Sequence, residues 1–318
     1  MLFKLAPKEK RSELYDRERE LEELYRLTKT EWVVILGKRM TGKTSILKTF
    51  LNEVGGVYVN LMGVRSIRGL IEELLKHTGR LGLEVSIPPL LKVSWTRLAV
   101  DVFSRFEGKI IGLDEVQELP ANYFLKLLKK IWDTYNIRII FTGSIMGVIR
   151  KLLEPETGSP MYGRKPAVLE LKPFNHKQSI DFLEKGFTEC GLHVREEEII
   201  ETVELLNGYV GWLTYYGNYR CIRRLSHEKA LENVYSEGKK IVLEELKHFL
   251  ENKKNKEKYI QLLKTLPARW STLEAKLNVN SKILRQMLLN LENAFLVEKR
   301  GNTYIITDPI LRKLVGEL

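Results

Sequence analysis

A glycine-rich run near the start of the chain has the composition of a phosphate-binding loop. Residues 37–44 read Gly-Lys-Arg-Met-Thr-Gly-Lys-Thr and fit the Walker A pattern GxxxxGK[ST]. In this pattern the backbone N–H groups of the loop surround phosphate oxygens, and the positive N-terminus of the next helix points at them. We expect Lys43 to reach the β- and γ-phosphates of a nucleotide, and the Thr44 hydroxyl to bind Mg²⁺. The residues predicted to line the phosphates are Gly37, Lys38, Arg39, Met40, Thr41, Gly42, Lys43, Thr44 and Ser45.

Two carboxylates follow an apolar run further along the chain. Residues 110–113 are Ile-Ile-Gly-Leu, and Asp114 and Glu115 come directly after them, which fits a Walker B strand. Asp114 is expected to hold Mg²⁺ directly or through water, and Glu115 to orient or deprotonate an attacking water. A later apolar run ends in Phe-Thr-Gly-Ser, where the hydroxyl of Thr142, or as second choice Ser144, is predicted to meet the γ-phosphate or its water.

Alternating strands and helices must position these residues. The predicted strands are 32–36, 57–61, 109–113, 137–141 and 167–171. The predicted helices are 12–30, one that begins at about 43, 67–79, 90–106 and 121–134, and the Pro- and Gly-rich segment 150–165 is predicted to be a loop. Apolar strands that alternate with helices predict an α/β fold with a parallel sheet covered on both faces.

The rest of the chain has a different pattern. Residues 174–250 lack strand signals and predict a small helical domain. Three further helices are predicted at 257–266, 272–277 and 282–293, the last with Ser281 as its N-cap, and a hairpin follows at 295–299 and 303–307. Three helices and a hairpin are the outline of a winged helix-turn-helix.

The third of these helices would be the one that enters a DNA groove. Lys282, Arg285 and Gln286 lie near its start, and Arg300 at the hairpin tip could meet a phosphate. Its apolar positions, which a core would need, are Leu284, Met287, Leu288 and Leu291.

The charge of the chain is uneven. The formal net charge is +11, of which +8 falls within residues 220–318. A basic module suggests an anionic partner such as double-stranded DNA, while a solvated Lys/Glu-rich surface and a protein-docking role are the alternatives. Ordinary globular composition excludes disordered and low-complexity classes, and 318 residues favour two or three domains.

Cysteine content and hydropathy bear on location. Cys190 and Cys221 have no metal-like spacing and are not expected to form a disulfide framework, which favours a reducing compartment. The chain has no apolar run of 18 residues and no signal-peptide core, so a cytoplasmic protein with no membrane partner is expected.

Several short motifs together resemble the archaeal ATPase family, a branch of the P-loop NTPases close to AAA+ and STAND ATPases. The matching pieces are the two Walker motifs, residues 15–21 (Tyr-Asp-Arg-Glu-Arg-Glu-Leu), 141–144 (Phe-Thr-Gly-Ser), 161–164 (Met-Tyr-Gly-Arg), 169–174 (Leu-Glu-Leu-Lys-Pro-Phe) and 206–209 (Leu-Asn-Gly-Tyr). The resemblance implies an AAA+-like core at 1–172 with sheet order 5-1-4-3-2, a helical lid at 173–252 and a winged helix-turn-helix at 253–318.

The resemblance also implies roles for individual residues. Tyr15 and Arg17 would line the adenine, although a Gly commonly stands in the family where this chain has Asp16. Arg164 would approach the γ-phosphate as a finger-like arginine, in cis or from a neighbouring subunit, with Arg150 as the alternative. ATP is preferred over GTP.

These observations predict an Mg²⁺-dependent ATPase that couples its nucleotide state to a winged helix, which in turn binds DNA. The alternative is a slow-turnover nucleotide switch whose winged helix recruits a protein partner. Whether the chain acts as a monomer or as a homo-oligomer is left open.

Overall fold

Five parallel strands form the sheet that carries both Walker motifs. They are β1 (Val33–Gly37), β2 (Val57–Asn60), β3 (Ile110–Asp114), β4 (Arg138–Thr142) and β5 (Ala167–Leu171). Their order is β2-β3-β4-β1-β5, which from the other edge reads 5-1-4-3-2. Because all five run the same way, the carboxyl ends of β1, β3 and β4 meet at one edge of the sheet.

Among the residues that the structure describes, six α-helices accompany this sheet. They are α1 (Glu18–Leu27), α2 (Lys43–Val54), α3 (Ile67–Thr78), α4 (Trp95–Ser104), α5 (Ala121–Thr134) and α6 (Gly147–Leu153). One core cluster joins α1 and α2 to β1, β4 and β5. Gly112, an unusual residue for a buried strand, is explained by α2, because a Cβ at this position would lie 2.5 Å from Leu51 and 2.8 Å from Leu47.

The structure is a computed structural model that describes residues 1–78, 95–143, 147–251 and 253–317. The chain divides into two compact units. The sheet unit consists of Pro7–Gly37 and Gly42–Leu171, and the helical unit consists of Met1–Ala6, Lys38–Thr41 and Lys172–Leu318. Ser144 and the start of the helix predicted at 90–106 lie outside the described residues. The predicted loop at 150–165 begins only after α6, whose Val148, Ile149 and Leu152 are buried.

The helical unit begins with four helices and continues with a small mixed segment. The helices are α7 (His176–Glu189), α8 (Glu196–Leu206), α9 (Val210–Cys221) and α10 (His227–Glu251). The following elements are α11 (Lys256–Thr265), β6 (Ala268–Arg269), α12 (Trp270–Leu277), α13 (Ser281–Asn293), β7 (Val297–Arg300), β8 (Thr303–Ile306) and α14 (Pro309–Glu317). The strands form an antiparallel sheet in the order β6-β8-β7, so the predicted hairpin is confirmed.

Two details of this segment differ from the sequence-based prediction. The N-cap of α13 is Asn280 and not Ser281, because the Asn280 side chain accepts a hydrogen bond of 2.8 Å from the backbone N–H of Ile283. The helix α14 was not predicted. It begins at Pro309, directly after the buried Asp308, which accepts hydrogen bonds from the N–H groups of Ile310 and Leu311 and from the Trp212 indole on α9.

Two of the short family-like motifs meet inside the helical unit. The N–H of Phe174 donates to the carbonyl of Gly208 at 2.9 Å. Gly208 has a φ of 73°, and a Cβ there would lie 2.0 Å from the Phe174 carbonyl oxygen. Only glycine combines this backbone conformation with so close an approach.

The first residues of the chain are anchored in the helical unit. The Phe3 ring is fully buried against Phe182 and Phe187. A Cβ at Gly186 or Gly217 would lie within 2.3 Å of that ring, so the two glycines make its pocket. No local pattern in the sequence marks this contact.

The cysteines are bonded to each other, which contradicts the expectation that they stay apart. A disulfide joins Cys190, which follows α7, to Cys221 at the end of α9, and their Cα atoms are 6.0 Å apart. The packing of α7 on α9 brings together two residues separated by 31 positions. The argument from cysteines to a reducing compartment therefore loses its basis.

We expect the disulfide to stabilise the chain by about 3 to 4 kcal/mol, since a closed loop of this length restricts the unfolded state. The free energy of unfolding, measured by denaturant titration, should fall by about this amount in reductant. The Cys190→Ser/Cys221→Ser variant should be insensitive to reductant. Two reactive thiols per chain after unfolding without reductant would contradict the assignment.

Candidate nucleotide site

Two glycines and a lysine form the base of the Walker A loop in the sheet unit. The strand β1 ends at Gly37, and Gly42 precedes α2, with φ values of 156° and 95° that favour glycine. The ammonium of Lys43 donates to the Gly37 carbonyl at 2.8 Å. Gly42 has no side chain that could cap α2, and a helix N-terminus attracts anions. The local chain thus has the geometry that a phosphate site requires.

The middle of the same motif makes ion pairs within the helical unit. The Lys38 ammonium lies 2.6 Å from a Glu298 carboxylate oxygen on β7. The Arg39 guanidinium lies 3.5 Å from Glu245 on α10. Two cations of the phosphate motif are therefore already paired with carboxylates.

The next two residues of the loop are held by hydrogen bonds, Met40 through its backbone and Thr41 through its hydroxyl. The Met40 carbonyl accepts a hydrogen bond of 2.9 Å from the N–H of Gly211 on α9, and a Cβ at Gly211 would lie 2.5 Å from the Met40 sulfur. Met40 has a φ of 60°. The Thr41 hydroxyl donates to the Lys38 carbonyl at 2.7 Å. The conformation of the loop tip is thus determined by packing as well as by glycine.

The Walker B aspartate is buried and accepts three hydroxyl hydrogen bonds. One oxygen of Asp114 accepts from Thr44 at 2.9 Å and from Tyr58 at 2.8 Å, and the other accepts from Thr142. Asp114 is only 2% exposed. A buried carboxylate is stable only when its oxygens are satisfied, and here three elements around β3 supply the donors.

The Thr44 and Asp114 oxygens fit the magnesium ion that the sequence predicts. Both are hard oxygen ligands, and they lie 2.9 Å apart. Neighbouring ligands of an octahedral Mg²⁺ with bonds near 2.1 Å are about 3 Å apart. The pair could therefore take the ion with little rearrangement.

Tyr58 is a residue of this site that the sequence analysis missed. Burial raises the pKa of its phenol, and the negative charge of Asp114 raises it further. The phenol therefore stays protonated and donates to Asp114. The available signal was its position in the strand that precedes Walker B, at a point where β2 pairs with β3.

Glu115 is held in an unusual backbone conformation. Its φ and ψ are 61° and 46°, in the left-handed region that few non-glycine residues adopt. Its backbone N–H donates to the Thr142 hydroxyl at 3.3 Å, and its carboxylate accepts from the Gln117 amide at 2.6 Å. Gln117 was also missed, although it lies only two residues further on.

Three residues expected near the nucleotide have other contacts. The Ser45 hydroxyl accepts from the backbone N–H of Lys8 at 3.1 Å. Arg17 is buried and pairs with Glu20 at 2.6 Å, and Tyr15 is half-buried. A role for Tyr15 and Arg17 at the adenine stays a prediction.

Asp16 lies in the left-handed region of backbone conformation, which glycine adopts most readily. Its φ is 47°. Aspartate tolerates this left-handed region better than most residues.

Arg164 lies away from the Walker A loop of its own chain. It forms an ion pair of 2.9 Å with Asp133 near the end of α5, and it precedes β5. In the parallel pair of β1 and β5, Gly37 lies opposite Leu171 at the carboxyl end, whereas Arg164 comes before the amino end. The length of the strand, about 13 Å, separates the two ends. This arrangement does not bring Arg164 to the phosphate site in cis, and a role in trans stays a prediction.

The alternative arginine, Arg150, forms an ion pair in which its Nε lies 3.5 Å from Glu154 Oε2.

The sequence matches a family described as ATPase domains predominantly from Archaea, over residues 14–215. This is more than half of the chain. The chain belongs to this family.

Several solved structures and one curated relative are similar to this chain. A Walker-type ATPase of Pyrococcus abyssi is 29% identical, with a TM-score of 0.84 over 99% of both chains. The ORC2 protein of Aeropyrum pernix, solved in ADPNP and ADP complexes, has a TM-score of 0.61 at 15% identity over 99% of this chain and 96% of its own, a likeness of fold. An uncharacterized protein of Methanocaldococcus jannaschii is 29% identical over 216 residues, which cover 63% of this chain and 42% of that protein.

Other features of this ATPase-family chain concern the membrane and the basic surface. Among the described residues, no helix is both long and apolar enough to cross a bilayer.

On α13, Lys282, Arg285 and Gln286 are exposed. The four apolar positions predicted to face the core, Leu284, Met287, Leu288 and Leu291, are buried. Arg300 on β7 is exposed and donates to Glu298.

We expect Thr142→Val to lower the free energy of unfolding by about 1 to 3 kcal/mol. The substitution keeps the shape but leaves a buried Asp114 oxygen without one of its donors. Thr142→Ser should recover most of the loss, and Thr134→Val, at an exposed position of α5, is the matched control. Equal stability of Thr142→Val and the wild type in denaturant titration would contradict the arrangement.

Proposed function

We propose that this chain binds ATP with Mg²⁺, hydrolyses it, and couples its nucleotide state to a winged helix-turn-helix at residues 253–318 that contacts double-stranded DNA. The observation that carries the enzymatic part is the convergence of Thr44 and Thr142 on Asp114, beside Glu115. A cytoplasmic location and the three-domain division stay predictions.

Each residue of this cluster has a role in hydrolysis. Lys43 balances the negative charge of the β- and γ-phosphates, and its present contact with the Gly37 carbonyl keeps it at the loop. Thr44 and Asp114 hold the magnesium ion, which neutralises charge on the phosphate oxygens when it is bound. Glu115 orients a water for attack on the γ-phosphorus and takes up its proton.

We expect Lys43→Ala to lower phosphate release at least a hundredfold, since it removes a preorganised cation from the developing charge. Glu115→Gln should bind a fluorescent ATP analogue with near wild-type affinity and release little phosphate. Lys126→Ala, at an exposed position of α5, should behave as wild type. Undiminished hydrolysis in Lys43→Ala would refute the proposed site.

Coupling is supported by the loop contacts of the helical unit. The Walker A residues Lys38 and Arg39 pair with Glu298 on β7 and Glu245 on α10. A phosphate that attracts these cations competes with the two carboxylates. Glu298 also accepts from Arg300, so one carboxylate links the phosphate loop to a residue of the hairpin.

The DNA-binding part is supported by surface charge. The exposed start of α13 carries Lys282, Arg285 and Gln286, whose side chains suit phosphate and base-edge contacts. The excess of +8 within residues 220–318 has the sign that a DNA partner requires.

We expect Lys282→Ala/Arg285→Ala to weaken binding to duplex DNA and to flatten its salt dependence. Each lost phosphate contact should reduce the log–log salt slope by about 0.9. Lys229→Ala/Lys264→Ala, with two exposed lysines changed elsewhere, is the matched control for charge.

The absence of DNA binding by the wild type, with slow single-turnover hydrolysis, would favour the second candidate, a nucleotide switch that recruits a protein. One observation favours it, since Arg300 is already paired with Glu298.

A further inference from the structure

Gln117 makes the contact that fixes the Glu115 carboxylate. Its amide Nε2 lies 2.6 Å from Glu115 Oε2. The backbone of Glu115 is in the left-handed region, and its N–H is held by Thr142. Both the backbone N–H and the carboxylate of Glu115 are therefore hydrogen-bonded.

The Gln117 amide rests against Gly143, which follows β4. A Cβ at Gly143 would lie 2.3 Å from Gln117 Oε1, and Gly143 has a φ of 151°. Any larger residue would push the amide away. On the same turn, Val116 and Leu119 are buried and fix its position.

The other end of the amide is a cost to stability. Gln117 Oε1 is buried and has no hydrogen-bond partner among the described residues. An unsatisfied buried acceptor costs about 1 to 3 kcal/mol. An apolar side chain of the same size would avoid that cost but would lose the hydrogen bond to Glu115.

We propose that Gln117 is a positioning residue for hydrolysis, whose amide, seated on Gly143, aims the Glu115 carboxylate at the attacking water. The inference rests on the proposed ATPase function. It adds a residue that acts on the catalytic base, Glu115, and not on the nucleotide. Loss of the amide leaves the phosphate loop and Asp114 intact, so it should act on turnover and not on binding.

The test compares Gln117→Met and Gln117→Leu with the wild type in single-turnover ATP hydrolysis. We expect kcat to fall about ten- to hundredfold, as small misplacements of catalytic groups do, with the affinity for a fluorescent ATP analogue unchanged. Thermal unfolding should show no loss of stability, since both substitutions remove the unsatisfied oxygen. Gln261→Leu, at an exposed position of α11, should keep wild-type kcat.

A double-mutant cycle separates positioning from a structural role. In a Glu115→Gln background, Gln117→Met should cause no further loss of turnover, because it acts through Glu115. Additive losses in the double mutant or weaker nucleotide binding by the Gln117 variants would overturn the inference. Wild-type kcat in both Gln117 variants, while Glu115→Gln is inactive, would also overturn it. Each of these outcomes leaves the ATPase function standing. A wild type without ATP hydrolysis would overturn both.

Discussion

The structure around the Walker motifs depends on one buried carboxylate. Asp114 accepts hydrogen bonds from a helix residue, Thr44, and from residues of the two strands beside its own, Tyr58 and Thr142. An isolated buried charge would be costly, and these three donors satisfy it. The strand order places β2 and β4 on either side of β3, so the order of the sheet also brings Tyr58 and Thr142 to Asp114. The hydroxyl of Thr142 donates to Asp114 and accepts from the backbone N–H of Glu115, and its role at the γ-phosphate stays a prediction.

Much of this fold could be predicted from sequence because its signals are local. The apolar strands, the glycine loop and the start of α2 at Lys43 each follow from short patterns, and so does the buried face of α13. Contacts between distant residues have no such signal. The Phe3 pocket needs two glycines from α7 and α9, and the disulfide needs the packing of the same two helices.

The candidate site also contains some residues that local patterns predict and others that only the folded structure brings together. The residues of the Walker motifs can be predicted from their spacing in the sequence. Tyr58 and Gln117 cannot, because each belongs to the site only through the carboxylate that it contacts. The position of Arg164 could be placed only with the direction of β5, because strand direction decides on which edge of the sheet a flanking residue lies. Since Arg164 precedes β5, it belongs to the edge opposite Gly37.

The helical unit gives the phosphate motif a second set of contacts. Residues 38–41 are held there by Glu298, Glu245 and the backbone of Gly211. Most of the basic excess of the chain belongs to the same unit, while Asp114 and Glu115 belong to the sheet unit. The two candidate functions differ in the rate of turnover and in the partner that the C-terminal elements would contact.

The most direct test of the central claim is a crystal structure with Mg²⁺ and a non-hydrolysable ATP analogue. We expect one ion bound by the Thr44 hydroxyl and held by Asp114, directly or through water, with Tyr58 and Thr142 still donating to that carboxylate. A nucleotide bound elsewhere, or an ion held by other carboxylates while Thr44 stays bonded to Asp114, would contradict it.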